Sequence, residues 1–260
     1  MNAYKELRKR YNRPVIFMLI IIALPFLYAV QVTQSKKIAV ISFLIYLLIE
    51  LILLFIKEIL FGKKLYSLIY KDINLDLMLS YIMNQKGKKF KTIKVRILVA
   101  TLYYYYMIGD YSSIKAVVNE LKKNQQFTQD EQVKLNEFLL NASLFSNPNL
   151  KEDEFEKLLS KYLLDYESTK KAYRARYDIL IKKEANDAIL NEVTNLKFFQ
   201  LESTYLKALN EFLKGNRTGA MELFRTIVKE DERLYLVKMA RSYLDSENLG
   251  KKSVSPNLKQ

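Results

Sequence analysis

Two long apolar runs stand near the start of the chain, and a third, shorter one follows about forty residues beyond them. Residues 14–32, PVIFMLIIIALPFLYAVQV, carry no charge, and their length is close to the roughly 20 residues that cross a bilayer's hydrocarbon. The second run, residues 38–61, reads IAVISFLIYLLIELILLFIKEILF, and its stretch 38–56 has only Glu50 as an ionisable group. The pattern predicts two transmembrane helices, over about 14–33 and 38–61. The link between them, residues 33–37, is so short that they must form an antiparallel hairpin. The third run, residues 97–108, is 12 residues long, too short to span, and reads as the most buried helix of a soluble domain.

Beyond that helix the apolar positions recur at helical steps. Leu121, Phe127, Val133, Leu135, Phe138 and Leu139 form one set, and Phe155, Leu158, Leu159, Tyr162 and Leu163 another. Four turns separate the segments: Gly109-Asp110, residues 146–150 around Pro148, residues 184–186, and Gly215-Asn216. They are spaced by about 38, 38 and 30 residues, the period of helical-hairpin repeats. Thr128 with Glu131 has the form of a capping box, and Ser168 precedes a further helical run. Six glycines and four prolines in 260 residues suit helices better than strands and turns.

In residues 205–228, YLKALNEFLKGNRTGAMELFRTIV, the chain resembles the tetratricopeptide repeat family. Ala208 matches the close packing point of the first helix and Gly215 the turn. Ala220 and Phe224 match the small contact and the large core residue of the second helix. Gly109-Asp110-Tyr111, followed by Ala116 and Leu121, is the other match, and the proline that commonly ends a repeat is missing at both. The resemblance implies an α-solenoid of helix pairs, with a generic helical bundle as the alternative, so that together with the apolar runs the expected fold is an all-α chain in which a transmembrane hairpin precedes that solenoid. The expected organisation is a basic N-terminus (1–13), the hairpin (14–61), a basic juxtamembrane connector (62–96), the repeat domain (97–247) and a flexible tail (248–260). In a solenoid each pair touches only its neighbours, and the stack leaves a concave surface. In the repeat family that surface holds a peptide or a partner protein. Its candidate liners here are Tyr103, Tyr104, Tyr105, Tyr106, Tyr173, Arg174, Arg176 and Tyr177, since tyrosine and arginine dominate interface hot spots. At least two of the four consecutive tyrosines belong in the core.

Composition narrows the chemistry. Without cysteine there is no disulfide, thiolate nucleophile or thiolate metal site, and without histidine no Ser-His-Asp, Cys-His or His-zinc chemistry within the chain. No phosphate-binding Gly-rich loop or metal-ligand cluster occurs, so no cofactor and no enzymatic activity is expected. The paired acids at 130–131, 152–154 and 231–232 read as helix-start charges. Of the net +14, residues 1–62 carry +5, residues 63–100 carry +7 and the remainder +2, so the excess lies beside the apolar runs. Basic residues flank the hairpin on both outer sides, with only Lys36 and Lys37 in its link, which predicts a multi-pass protein of the cell membrane with both termini cytoplasmic. A cleavable signal peptide fits less well, because the run is long and Val30-Gln31-Val32 is a poor cleavage site.

In residues 86–96, Lys86, Lys88, Lys89, Lys91, Lys94 and Arg96 form a collar suited to anionic lipid headgroups, with a plain solvated loop as the alternative. Nucleic acid is disfavoured, since the rest of the chain is nearly balanced in charge and no recognition motif accompanies the patch. Glu50 is the intramembrane polar residue. A carboxylate at such depth is costly, so it is expected to be protonated, paired or turned toward protein; Pro25 leaves the Ile21 carbonyl without its helical donor, one acceptor within reach. A partner helix, including that of a homo-oligomer through the hairpin, is the other solution.

The function expected is a membrane-tethered helical-repeat scaffold or adaptor for a partner protein or peptide. An immunity or peptide-sensing membrane protein, or a non-catalytic subunit of a membrane enzyme or transporter, would look the same. The usage of Lys, Ile and Asn suggests a bacterial source.

Overall fold

In the computed structural model, residues 2–32, 36–87, 91–163, 166–191 and 196–252 are described, and they form helices joined by short turns, with no strand among them. The chain divides into two compact units, Met1–Asn84 and Gln85–Gln260.

The first unit is built on α1 (Ala3–Val32) and α2 (Lys36–Tyr66), both long and apolar enough to cross a membrane. Each outlasts the apolar run that predicts it: α1 takes in the basic residues from Lys5 to Arg13 and continues through Pro14 and Pro25. The two helices meet along a narrow seam. On α1 the covered positions include Tyr11, Val15, Leu19, Ile22 and Phe26; on α2 they include Ser42, Tyr46, Ile49, Leu53 and Phe61. These are steps of three and four, one stripe per helix. The remaining apolar side chains, such as Phe17, Leu24, Leu48 and Phe55, face outward, which in water would be prohibitive and in lipid costs nothing.

Below the apolar runs the same helices form a polar foot. A π-helical turn, Ser67–Lys71, ends α2 and leads into α3 (Leu75–Gln85). Tyr4 packs edge-on against Phe61 and Tyr81, and its backbone N–H donates to Ser80 Oγ at 3.0 Å. Asn2 Oδ1 accepts from Ser80 Oγ at 2.5 Å and Asn84 Nδ2 at 2.7 Å. The stretch expected as a connector is therefore largely helical, and it ties back to the chain's first residues.

The second unit is a succession of helices: α4 (Lys91–Ile108), α5 (Tyr111–Asn124), α6 (Gln129–Ser146), α7 (Glu152–Leu163), α8 (Glu167–Tyr177), α9 (Lys197–Leu213), α10 (Arg217–Ile227) and α11 (Tyr235–Lys252). From α4 to α8, and again from α9 to α11, each packs on the next. Between α8 and α9 come a π-helical turn (Asp178–Lys182) and a 3-10 turn (Asp187–Asn191), so the break expected at 184–186 is a turn without a simple helix on either side. Buried Asn210 holds this stretch, accepting from the Asn186 backbone N–H and donating to Asp187 Oδ1, both at 2.8 Å. Thr128 and Glu131 form the full capping box at the start of α6. Ala208, Ala220 and Phe224 are all inaccessible to solvent, and α9 and α10 are packed together.

Other packing joins helices that are not sequence neighbours: α4 meets α9, and α11 returns to α4 and α9. Gly109 makes this close approach feasible. Its φ of +81° is the left-handed region, and a Cβ there would sit 2.8 Å from Tyr235 Cβ.

Candidate functional site

Glu202 lies on α9 amid an apolar face that includes Phe198, Leu206 and Leu209, all buried, and its carboxylate is wholly inaccessible. A charge so placed needs partners on every lone pair. From α8, Arg176 donates through Nη1 to Glu202 Oε1 at 2.5 Å and to Asn141 Oδ1, on α6, at 2.7 Å. Two phenols cover the other oxygen: Tyr106 of α4 donates to Oε2 through a short hydrogen bond, and Tyr235 of α11 donates to it at 3.3 Å. Donors from α4, α8 and α11 thus converge on the one carboxylate of α9, and α6 joins them through Arg176. Their sequence separations from Glu202 reach 96 residues.

Aromatic rings wall this centre. Tyr106 stands edge-on to Phe138 at 5.1 Å and Phe198 at 5.6 Å, and Tyr235 to Phe145 at 5.1 Å and Tyr111 at 5.4 Å. Tyr173 lies beneath the Arg176 guanidinium, 5.2 Å from ring centroid to Cζ. Burial, reinforced by the Glu202 charge, pushes the Tyr106 phenol well above its ordinary range. Burial is also the main reason that Tyr235 is raised, with the neighbouring phenols of Tyr106 and Tyr111 adding to it. The Tyr111 hydroxyl lies near that of Tyr235 yet has no partner of hydrogen-bond geometry among the described residues. Such a centre can clamp helices together and make their packing depend on charge. It is filled by its own side chains.

The residues singled out from sequence divide sharply. Tyr106, Tyr173 and Tyr177 are buried: Tyr173 Oη donates to the Glu137 carbonyl at 3.3 Å, and Tyr177 Oη donates to that of Leu150 at 2.8 Å while its ring stacks on Phe155. Arg176 is mostly covered by the centre it serves. Tyr103, Tyr104 and Tyr105 are half-buried, Tyr103 edge-on to Phe138. Arg174 is exposed and forked onto Glu156 at 2.8 and 2.9 Å, which lowers the Glu156 carboxyl below its usual range, chiefly through these hydrogen bonds. Of the collar, Lys86, Lys94 and Arg96 are exposed, Lys94 pairing with Glu120 at 3.1 Å. Lys88 and Lys89 lie outside the described residues, and Lys91 opens α4. That ion pair crosses an open groove of about 580 Å³ between α4 and α5, also lined by Asn119, Lys123 and Asn124.

Asn141, Glu202 and Tyr235 did not stand out in sequence. Glu202 alone left a trace, an acid four residues from Phe198 and Leu206 on a stripe otherwise apolar. Glu50 is half-buried on α2, and among the described residues it makes neither an ion pair nor a hydrogen bond, so the bond to the Ile21 carbonyl does not form. Its position explains this. The ring pairs Phe26–Tyr46 and Tyr11–Phe61 set the register of the hairpin, and four residues back from Phe26 and on from Tyr46 bring Ile22, not Ile21, level with Glu50.

The fold and the site define an all-helical protein with two helices capable of spanning a membrane and a separately packed helical unit clamped by a buried ionic centre. No protein-family model, curated protein or solved structure matches the chain.

Proposed function

We propose that the chain is a membrane-tethered helical adaptor: α1 and α2 cross the bilayer with both termini in the cytoplasm, and the second unit holds a protein or peptide partner at the membrane surface. One observation carries this reading. In both spanning candidates no residue of the apolar window is buried, although their seam is regular and the foot beneath them is hydrogen-bonded, which is the pattern of a hairpin made for lipid. Tethering raises the effective concentration of a partner without chemistry.

A tetratricopeptide-like stack for the second unit draws its support from α9 and α10, where Ala208, Ala220 and Phe224, which the resemblance makes core contacts, are inaccessible to solvent. The partner face on this reading is the part of the candidate set that keeps exposed surface: Tyr103, Tyr104, Tyr105 and Arg174. The test is affinity purification of the full chain from membranes of its own host. A partner recovered with the wild type should be lost when Tyr104, Tyr105 and Arg174 are replaced together by alanine, with helicity unchanged. Retention of the same partner by that variant would overturn the assignment of this face.

A further inference from the structure

Glu50 stands level with Ile22, and α1's apolar run extends over residues 14–32, so the carboxyl lies at the middle of the hydrocarbon. It is half-buried at one flank of the seam, where Leu47 and Leu54, one turn to either side, continue the same edge of α2. Nothing in its own hairpin satisfies it among the described residues. In hydrocarbon there is no water to do so, and an ionisable group at this depth faces another protein surface or a water-filled cavity. Two helices enclose no such cavity.

We infer that Glu50 is the contact point of a homodimer, in which the hairpins of two copies pack along the Leu47–Glu50–Leu54 flank and their carboxylic acids bond to each other. The reason for a second copy is symmetry. A carboxylic acid is both donor and acceptor, and a two-fold axis along the bilayer normal brings Glu50 of the partner to the same depth, so each acid completes the other in an isologous contact. A foreign partner would have to carry its own polar group to the centre of the bilayer, at similar expense. The rest of the flank is aliphatic and fits the close packing that drives helix association in lipid. This inference rests on the reading that α1 and α2 cross the bilayer but not on a partner for the second unit, and it is tested separately from that partner.

The chain has no cysteine, so a single one reports contact without background. Full-length Leu47→Cys, reconstituted in bilayers at a fixed protein-to-lipid ratio, should cross-link to a dimer, whereas Leu48→Cys, on the far side of α2, should not. Adding Glu50→Leu should lower the Leu47 cross-linking at least about five- to thirty-fold, the effect of a single one of the two reciprocal hydrogen bonds it removes. Adding Glu50→Gln, whose amide also donates and accepts, should preserve it. Equal cross-linking from both flanks, no dimer in the wild type, or no loss in the Glu50→Leu variant would overturn the proposal. So would a host-membrane adduct at Leu47 that contains a different protein in place of the dimer.

Discussion

At the scale of single residues, Glu202 and its partners set the stakes, because a buried charge is tolerable only while its ligands hold. Replacing Glu202 by alanine leaves Arg176 charged, mostly covered and without its carboxylate, and removal of one member of a buried pair costs about 3 to 5 kcal/mol. Urea unfolding should show that loss, and adding Arg176→Met to the Glu202→Ala variant should recover part of it, since the stranded charge goes too. A smaller or absent loss would mean that water reaches the pair. The phenols predict a pH dependence of definite sign. Tyr106 and Tyr235 have folded values raised above the ordinary 10.0, so their contribution is complete below pH 10 and is lost as pH climbs from there toward the raised values. Each should steepen the decline by about 1.4 kcal/mol per pH unit. Alkaline unfolding should therefore be shallower in a Tyr106→Phe, Tyr235→Phe double variant, and parallel alkaline limbs would refute the assignment.

At the scale of elements, turns and helix contacts are where residue chemistry becomes geometry. Gly109 and Gly215 both have positive φ, but only Gly109 is hemmed in, its virtual Cβ 2.8 Å from Tyr235 Cβ while that of Gly215 meets nothing within 4 Å. Alanine at 215 should cost about 1 to 2 kcal/mol for the left-handed backbone alone. Alanine at 109 must add a displacement of α11, and its thermal midpoint should fall below that of Gly215→Ala by several degrees; equal midpoints would show that α4 and α11 separate freely. Ala220 tests the α9–α10 contact. Leucine there should cost about 1 to 3 kcal/mol by overpacking, against less than about 0.5 kcal/mol for Lys229→Leu on the exposed surface.

At the scale of the whole molecule, the two units carry separate expectations. A fragment starting at Gln85 should be soluble and helical by circular dichroism, because the Glu202 centre and its aromatic wall lie entirely within it. Replacing Lys86, Lys88, Lys89 and Lys91 with glutamine in that fragment should weaken its binding to anionic vesicles at low salt, by about 1 kcal/mol for each lysine that meets the headgroups. Equal binding by the two forms would reduce the collar to a solvated segment. Reporter fusions at Gln260 and in the link between the spans test the topology, and an extracytoplasmic reporter at Gln260 would reverse it.

What the sequence determined by itself is local. An apolar run of bilayer length, a capping box at Thr128, glycines at 109 and 215 and an acid at position 50 each act on residues within a few turns of themselves, so two helices long and apolar enough to span a membrane and the turns at Gly109 and Gly215 could be read directly. The seam of the hairpin was legible only roughly, since a register error of one residue moved Glu50 from Ile21 to Ile22 and past its supposed acceptor. Beyond that reach, periodicity is silent. It shows that the side chains of residues 103–106 lie on a buried helix, but not which ring goes inward, because the run 97–108 of α4 is apolar on nearly every side and only its neighbours select Tyr106. It shows a stray acid at 202 without its donors, which come from α4, α8 and α11. Tertiary structure decided that centre and the return of α11 to α4, because pairing across 26 to 96 residues is chosen by which burial satisfies the most polar groups, a property of the packed whole and of no single stretch.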